Sequence, residues 1–196
     1  MTPEPAPQSS LKDKLWLGLG LLAIFAVTAV LLRIEGRLWI CACGSIKLWI
    51  GNTCTSDNSQ HLLDPYSLTH ILHGFGFYWL VAILLRRTKP NMQLLIAIAL
   101  EAAWEAFENT NFIIDRYRTA TAALGYTGDT VVNSWGDILC CLIGFLVARW
   151  LGWKLAIVVF IVLELILAFW IKDSLLLEIL MLTFPVNAIK GWQGCP

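Results

Sequence analysis

The sequence predicts an all-α fold, a polytopic transmembrane helix bundle of about five spans plus a short C-terminal interfacial helix. The first observation is composition. Of the 196 residues 58% are hydrophobic and the mean hydropathy is +0.68, whereas soluble domains are typically about 45–50% apolar. The second observation is that the apolar residues are gathered in long runs, several of which are long enough to cross a bilayer. The formal net charge is zero and no basic stripe is present, so we exclude nucleic acid as a partner.

The first apolar run, Leu15 to Leu32, contains eighteen residues without a charge and follows Lys12 and Lys14. It is longer than a usual signal-peptide core, and no convincing small-residue cleavage site follows it. We therefore expect an uncleaved first span. Residues 1–10 include three prolines and are expected to be a disordered tail. Residues 11–196 then form a single integral-membrane domain.

Four further apolar segments complete the predicted bundle: Tyr66 to Leu85, Met92 to about Asn109, Val131 to Val147, and Leu155 to Ile171. A last stretch, Leu175 to Phe184, ends at Pro185 and is too short to cross, so we place it at the membrane interface. Five spans are therefore expected, with four or six as the alternatives.

Basic residues in the short connections predict the orientation. Arg86, Arg87 and Lys89 crowd the connection after the second span, and Arg149 and Lys154 flank the one after the fourth. Short loops rich in lysine and arginine lie preferentially on the cytoplasmic side. We therefore predict a multi-pass protein of the cell inner membrane with a cytoplasmic N-terminus. The 33–65 loop, the 110–130 loop and the C-terminal tail would then lie outside the cytoplasm.

Three cysteines, Cys41, Cys43 and Cys54, fall in the loop assigned to the outside, where a disulfide can persist. Cys54 could bridge either of the other two, or all three could be free thiols, and spacing does not decide between these alternatives. Cys140 and Cys141 lie inside the fourth span and are expected to be small core residues.

Ionisable residues are concentrated in and beside the middle spans. The set comprises His70, His73, Glu101, Glu105, Glu108, Asp115, Asp129 and Asp137. A charge at the bilayer centre costs about 2.5–3.5 kcal/mol on insertion scales. We therefore expect these groups to point inward, to pair with one another, or to line water.

Helical spacing supports an inward-facing arrangement. At about 100° per residue, Glu101, Glu105 and Glu108 fall within a wedge of about 60°. Asp129, Asn133 and Asp137 form a second stripe, and His70 and His73 lie one turn apart next to Gly74. The histidines begin the second span, the acids end the third, and the second acidic stripe begins the fourth. Alternating spans bring these three ends to the same face of the membrane, which is the outer face in the predicted orientation.

This convergence predicts a polar site near the outer leaflet. The candidate catalytic residues are His70, His73, Glu105 and Asp137, with a histidine as general base and Glu105 or Asp137 as its orienting or acid partner. The candidate substrate-binding residues are Glu101, Glu108, Asn109, Arg116, Asp129 and Asn133. Imidazole with carboxylate also suits a divalent metal ion, and His70, His73, Glu101, Glu105 and Asp137 are its candidate ligands.

Each group also has a purely structural interpretation. Either histidine could make an ordinary hydrogen bond between helices, and Glu108 or Asp115 could pair at the interface with Arg116 or Arg118. Asp129 could cap the fourth helix. Glu164 is alone in the fifth span, where a histidine or lysine could be its partner. Most tryptophans are expected at the interfaces, although Trp104 and Trp135 could wall the site.

Several longer motifs carry a family resemblance: Asn58-Ser-Gln-His61-Leu, Ser67-Leu-Thr-His70-Ile-Leu-His73-Gly74-Phe, Glu101-Ala-Ala-Trp104-Glu105, Glu108-Asn109, Ile114-Asp115-Arg116-Tyr117-Arg118, and Gly128-Asp129 with Asn133-Ser134 and Asp137. With these motifs, residues 35 to 193 closely resemble uncharacterised protein family 0314, also called domain of unknown function 2585. The resemblance implies a multi-pass inner-membrane protein, mainly of alphaproteobacteria, and it implies no activity.

A weaker similarity is to the VanZ-type membrane proteins linked to glycopeptide resistance. Its matching positions are Asp64, His70, Glu105, Asp129, Asn133 and Asp137. The glutamine that often follows the glutamate in that group is not evident here. The similarity implies a site at the outer leaflet without naming a substrate.

Three functions remain open from the sequence. The first is an enzyme acting on a lipid or a lipid-linked envelope precursor, since acids and imidazoles converge at one leaflet. The second is a non-enzymatic transporter or assembly or accessory subunit, because the same groups could relay protons or hold a partner. In the third, the polar groups only join helices to one another. The lipid bilayer is the one partner common to all three.

Overall fold

The computed structural model describes residues 10–121 and 125–194, which form helices joined by loops and contain no strand. The helices are α1 (Leu11–Ile34), α2 (Ser67–Leu84), α3 (Pro90–Glu108), α4 (Asn111–Ala120), α5 (Val131–Trp170), α6 (Leu175–Thr183) and α7 (Asn187–Gln193). The all-α prediction is confirmed. The predicted tail at residues 1–9 lies outside the described residues.

Three of the described helices, α1, α2 and α5, have the length and apolar composition needed to cross a bilayer. In α1 the buried residues are Thr28, Ala29 and Leu32, so most of this apolar helix faces outward, as a lipid-facing helix does. Ser10 and Asp13 form a capping box at its first turn. These apolar helices indicate a membrane protein, and five spans stay a prediction.

Helix α5 is broken at Gly152, whose φ of 72° and ψ of 170° lie outside the helical region. A side chain with a Cβ would be strained at this positive φ. The break separates an arm of residues 131–151 from an arm of residues 153–170. Both arms pack on α2, because Phe75 of α2 lies in one core cluster with Ala148 and Ala156.

Helices α2 and α5 approach each other along two glycines. A Cβ at Gly74 would lie 2.9 Å from the carbonyl carbon of Gly144 and closer still to main-chain atoms of Cys141 and Phe145. A Cβ at Gly144 would in turn overlap the main chain of Ile71. Small residues allow backbones to come this close inside a membrane. The contact brings the histidines of α2 next to the acids of α5.

The loop between α1 and α2, residues 35–66, closes over the N-terminal end of α5. The free backbone N–H groups of Val131 and Val132 donate to the carbonyl oxygens of Leu38 and Trp39 at 2.9 and 3.2 Å. The N–H of Thr130 donates to the carbonyl of Ser59 at 3.1 Å. These bonds satisfy donors that a helix leaves open at its N-terminus.

Several sequence interpretations need correction in the loops. Within the same 35–66 loop, Cys41 is bridged to Cys43, a pairing that was not among the sequence alternatives of a bridge from Cys54 to either of them or three free thiols. Part of the 110–130 connection is a helix, α4, because Thr110 caps its first turn and apolar residues recur on one face. The predicted C-terminal helix ends at Thr183, and a second helix, α7, follows it.

Candidate functional site

The buried ionisable groups of α2, α3 and α5 meet around His70. Its Nδ1 lies 2.5 Å from Oε1 of Glu101 and 3.3 Å from Oε1 of Glu105, and its Nε2 lies 3.8 Å from Oδ2 of Asp137. Glu101 and Glu105 are fully buried. The groups come together because the start of α2, the end of α3 and the start of α5 lie at the same end of the bundle.

Glu101 also holds the second histidine. Nδ1 of His73 lies 2.9 and 3.2 Å from the two oxygens of Glu101. A carboxylate only accepts, so Nδ1 of His73 carries the proton of this bond, and in the neutral ring Nε2 is the basic nitrogen. The ring packs edge-on against Trp104, with centroids 5.9 Å apart. Glu101 and Trp104 together fix the orientation of this imidazole.

Glu105 differs from Glu101 in that its carboxylate accepts no hydrogen bond from the described residues. Neither of its carboxylate oxygens makes a hydrogen bond to any residue in 10–121 or 125–194, although Oε1 lies near His70. A buried, unpaired carboxylate is costly because it has lost its hydration without gaining a partner.

Asp137 belongs to a chain of hydrogen bonds at the start of α2. The Ser67 hydroxyl donates to Oδ1 of Asp137 at 2.6 Å and accepts from the N–H of Asp64 at 3.1 Å. The Asp64 carboxylate accepts from the N–H groups of Ser59 and Tyr66, both at 2.8 Å. This chain links the loop above the bundle to the carboxylate beside His70.

Asp129 accepts hydrogen bonds from side chains rather than capping α5. Its Oδ2 accepts from Nδ2 of Asn109 at 2.8 Å, and the Tyr126 hydroxyl is 3.0 Å from both carboxylate oxygens. The N-cap of α5 is Thr130, whose hydroxyl accepts from the N–H of Asn133. The capping interpretation of Asp129 is therefore wrong.

The cluster opens onto a cavity of about 1080 Å³. Its acidic lining residues are Asp64, Glu108, Asp129, Asp137, Asp173 and Glu178, and both histidines also line it. The apolar and aromatic side chains that line it are Phe77, Trp104, Trp170, Ile171, Leu175, Ile179 and Leu182. The cavity therefore offers both acidic and apolar side chains to a ligand.

Burial changes the acidity of the cavity groups that lie in loops and short helices. It raises the pKa of Asp173 from 3.8 to about 7, against the lowering effect of the hydrogen bond from the Ser174 N–H. Burial also raises the pKa of Asp129, although hydrogen bonds from Asn109 and Tyr126 act in the opposite direction. Burial therefore makes both carboxyl groups weaker acids than they would be in water.

Comparison with known proteins identifies the family. The profile of a family described as "Protein of unknown function (DUF2585)" matches residues 32–195. The chain belongs to this family. No solved structure matches it.

Relatives of this DUF2585 chain cover nearly its whole length. It is 45% identical over 180 residues to a UPF0314 protein of Rhizobium meliloti, an alignment that covers 92% of this chain and 91% of the relative. Identity is also 45% over 180 residues with a UPF0314 protein of Brucella anthropi, covering 90% and 91%. A UPF0314 protein of Sphingopyxis alaskensis is 44% identical over 172 residues, covering 88% and 92%. The resemblance stated from the motifs is confirmed.

In this DUF2585 member the predicted catalytic residues divide into two layers. His70, His73 and Asp137 line the cavity, whereas Glu105 lies behind them. Of the predicted binding residues, Glu108 and Asp129 line it, and Glu101, Asn109, Arg116 and Asn133 do not. Arg116 donates instead to the carbonyl oxygens of Leu182 and Thr183, so it holds α4 to the end of α6.

The structure also shows the partners of Asp115, Glu164 and Trp135. Asp115 pairs with Arg118 at 3.6 Å on the exposed face of α4, as the interfacial interpretation proposed. Glu164 accepts from the backbone N–H of Leu176 at 3.3 Å, so its partner is the start of α6 rather than a histidine or lysine. Trp135 donates to the carbonyl of Phe25 in α1 and lies away from the cavity, unlike Trp104.

Sequence reasoning missed several polar residues around the cavity, among them Ser67, Tyr126, Asp173 and Glu178. Ser67 was overlooked because serine at a helix start usually acts only as a cap. Tyr126, Asp173 and Glu178 were overlooked because they lie outside the spans. The amphipathic pattern of α4 and the acid in the Leu175–Thr183 stretch were the available signals that these short helices face a polar interior.

Proposed function

We propose that this DUF2585 member is a multi-pass inner-membrane enzyme that acts on a lipid or a lipid-linked envelope precursor near the outer leaflet. The observation that supports it best is the imidazole of His73, held through Nδ1 by buried Glu101 at the edge of a large cavity. An oriented imidazole with a basic Nε2 is the usual arrangement of a general base. A role in joining helices would not require a cavity beside it.

Three groups carry the proposed chemistry. His73 takes a proton from water or from a hydroxyl of the acceptor, and Glu101 stabilises the imidazolium that forms. Asp137, which accepts from Ser67 and faces His70, is the acid that returns a proton to the leaving group. The proposed reaction class is therefore hydrolysis or group transfer by general acid–base catalysis.

The mixed lining of the cavity supports an amphiphilic substrate. Its acids and tyrosine hydroxyls suit a hydroxyl-rich or amine-bearing headgroup, and Phe77, Ile179 and Leu182 suit an acyl or prenyl chain. The predicted cytoplasmic N-terminus and five spans would place this cavity at the outer leaflet, where envelope precursors are used.

The test is mass-spectrometric profiling of lipids and envelope precursors in a deletion strain. We expect one precursor class to accumulate, wild-type protein to remove it, and His73→Gln to leave it in place at an unchanged level of protein in the membrane. Asp115→Asn, which alters only an exposed ion pair, should restore the wild-type profile and is the matched control.

Two results would contradict the proposal. Full restoration of the wild-type precursor profile by His73→Gln would show that His73 is not the general base. An unchanged profile in the deletion strain, together with loss of another membrane protein, would favour the accessory-subunit function instead.

A further inference from the structure

The cluster around His70 contains more carboxyl groups than imidazoles. Glu101 contacts both His70 and His73, but Glu105 is fully buried and neither of its oxygens is hydrogen-bonded to any part of the chain that the structure describes. Glu108, one turn further along α3, is also buried. Glu105 must therefore be protonated or bind a cation, because an isolated buried carboxylate is strongly disfavoured.

The ligand atoms needed for a cation are already close together. His70, Glu105 and Glu108 each offer one atom, and these three atoms lie within 4.8 Å of one another. Nδ1 of His70 is 3.3 Å from Oε1 of Glu105. Two ligands about 2.1 Å from one ion lie roughly 3.0–3.5 Å apart at octahedral to tetrahedral angles, so this separation fits a shared ion.

We propose that His70, Glu105 and Glu108 bind one divalent first-row transition-metal ion. This inference rests on the proposed function, to which it adds a cofactor. One imidazole and two carboxylates suit zinc, manganese or iron(II). The ion displaces the proton that Nδ1 of His70 shares with Glu101, since metal binding requires a deprotonated ligand.

A metal at this position would complete the acid–base machinery. The bound ion lowers the pKa of a coordinated water, which supplies a nucleophile at neutral pH. Once Nδ1 binds the metal, Nε2 of His70 carries the proton and faces Asp137 at 3.8 Å. His73 remains free to act as the base.

The first experiment measures metal in protein purified in detergent without added metal or chelator. We expect about one zinc, manganese or iron per chain by elemental mass spectrometry. After chelation, titration with Zn²⁺ and with Mn²⁺ should show one saturable site by calorimetry. Glu105→Gln, which keeps the shape of the side chain, should weaken binding by at least about tenfold. Asp115→Asn should bind as wild type does.

A second measurement uses the wild-type chain alone, so that it does not depend on a variant that folds. X-ray absorption of the zinc-loaded protein should show only nitrogen and oxygen neighbours at about 2.0–2.1 Å. Sulfur neighbours at about 2.3 Å would overturn the proposal, because His70, Glu105 and Glu108 offer only nitrogen and oxygen ligands.

The outcomes separate the metal from the proposed function. The metal centre is overturned if the wild-type protein takes up no ion, or if Glu105→Gln binds the ion as tightly as the wild-type protein does. If such metal-free protein still restores the precursor profile of the deletion strain, the acid–base function stands without it. If the ion binds as expected but His73→Gln restores the profile, the metal centre stands and the proposed general base falls.

Discussion

Replacing Gly74 by alanine tests whether the backbone contact between α2 and α5 holds the site together. The added methyl group would lie less than 3.0 Å from three main-chain atoms of α5, those of Cys141, Gly144 and Phe145. Main-chain atoms inside a helix cannot move aside as a flexible side chain can. The two helices must therefore separate, and His70 and His73 must move with α2.

The magnitude follows from packing. Overpacking a well-packed interior costs about 1–3 kcal/mol, and a backbone contact belongs at the upper end of this range. Replacing glycine by alanine within a helix returns roughly 0.5–1 kcal/mol. We therefore expect a net loss of about 2 kcal/mol. For a chain of this size that corresponds to a melting temperature lower by roughly 4–8 °C.

Gly76 on the same helix provides the matched control. A Cβ there meets no atom within 4 Å, so Gly76→Ala should raise the stability by roughly 0.5–1 kcal/mol through helix propensity alone. The assay is thermal unfolding in detergent, followed by tryptophan fluorescence and by recovery of monodisperse protein. If Gly74→Ala melts at or above the wild-type temperature, the close contact of α2 with α5 is not as described.

Three further predictions concern the loops. The raised pKa of Asp173, about 7, means that the folded state holds this proton more tightly than the unfolded state, so its contribution to stability is lost as the pH rises from about 4 to 7. Asp173→Asn should flatten the pH dependence of the melting temperature in that window and should melt higher than wild type at pH 8, whereas parallel curves would refute the assignment. The Lys47 ammonium, 2.7 Å from Asp57, lowers the pKa of that carboxyl, so its stabilisation is present above about pH 4 and lost below it. Asp57→Asn should reduce the acid sensitivity of unfolding and leave the stability curve above pH 6 parallel to that of wild type. Finally, peptide mapping of unreduced protein should find Cys41 and Cys43 on one peptide that lacks two hydrogens and resists alkylation, and alkylation of both thiols would contradict the bridge.

The meeting of the polar groups could be predicted from segment order because it depends only on which end of each helix carries them. His70, Glu105 and Asp137 were assigned to the same end of the bundle by counting spans, and the structure places them around one imidazole. That inference needs no side-chain geometry. The separate roles of His70 and His73 do require side-chain geometry. Both lie on the same face of α2, and only their contacts with Glu101 and Glu105 distinguish them.

Other features could not be predicted because they depend on the tertiary structure. Arg116 was a candidate for substrate binding, yet its guanidinium donates to carbonyl oxygens at the end of α6, a segment 66 residues away in sequence. The break at Gly152 lies between the apolar segments predicted to end at Val147 and to begin at Leu155, so its place was predicted, whereas the positive φ of this glycine was not. Glu178 lies in the stretch that was assigned to the membrane interface, because hydropathy cannot tell a polar interior from headgroups.

The bond from Glu164 to the start of α6 ties the far arm of α5 to the cavity. α6 carries Glu178 and Ile179, which form one wall, and α7 follows directly behind it. The final twenty or so residues are thus anchored by an acid inside the apolar arm. Bulky fluorescent or enzymatic reporters fused after residue 194 would pull on that wall. Topology and activity are therefore better measured with tags at the opposite terminus, ahead of Ser10.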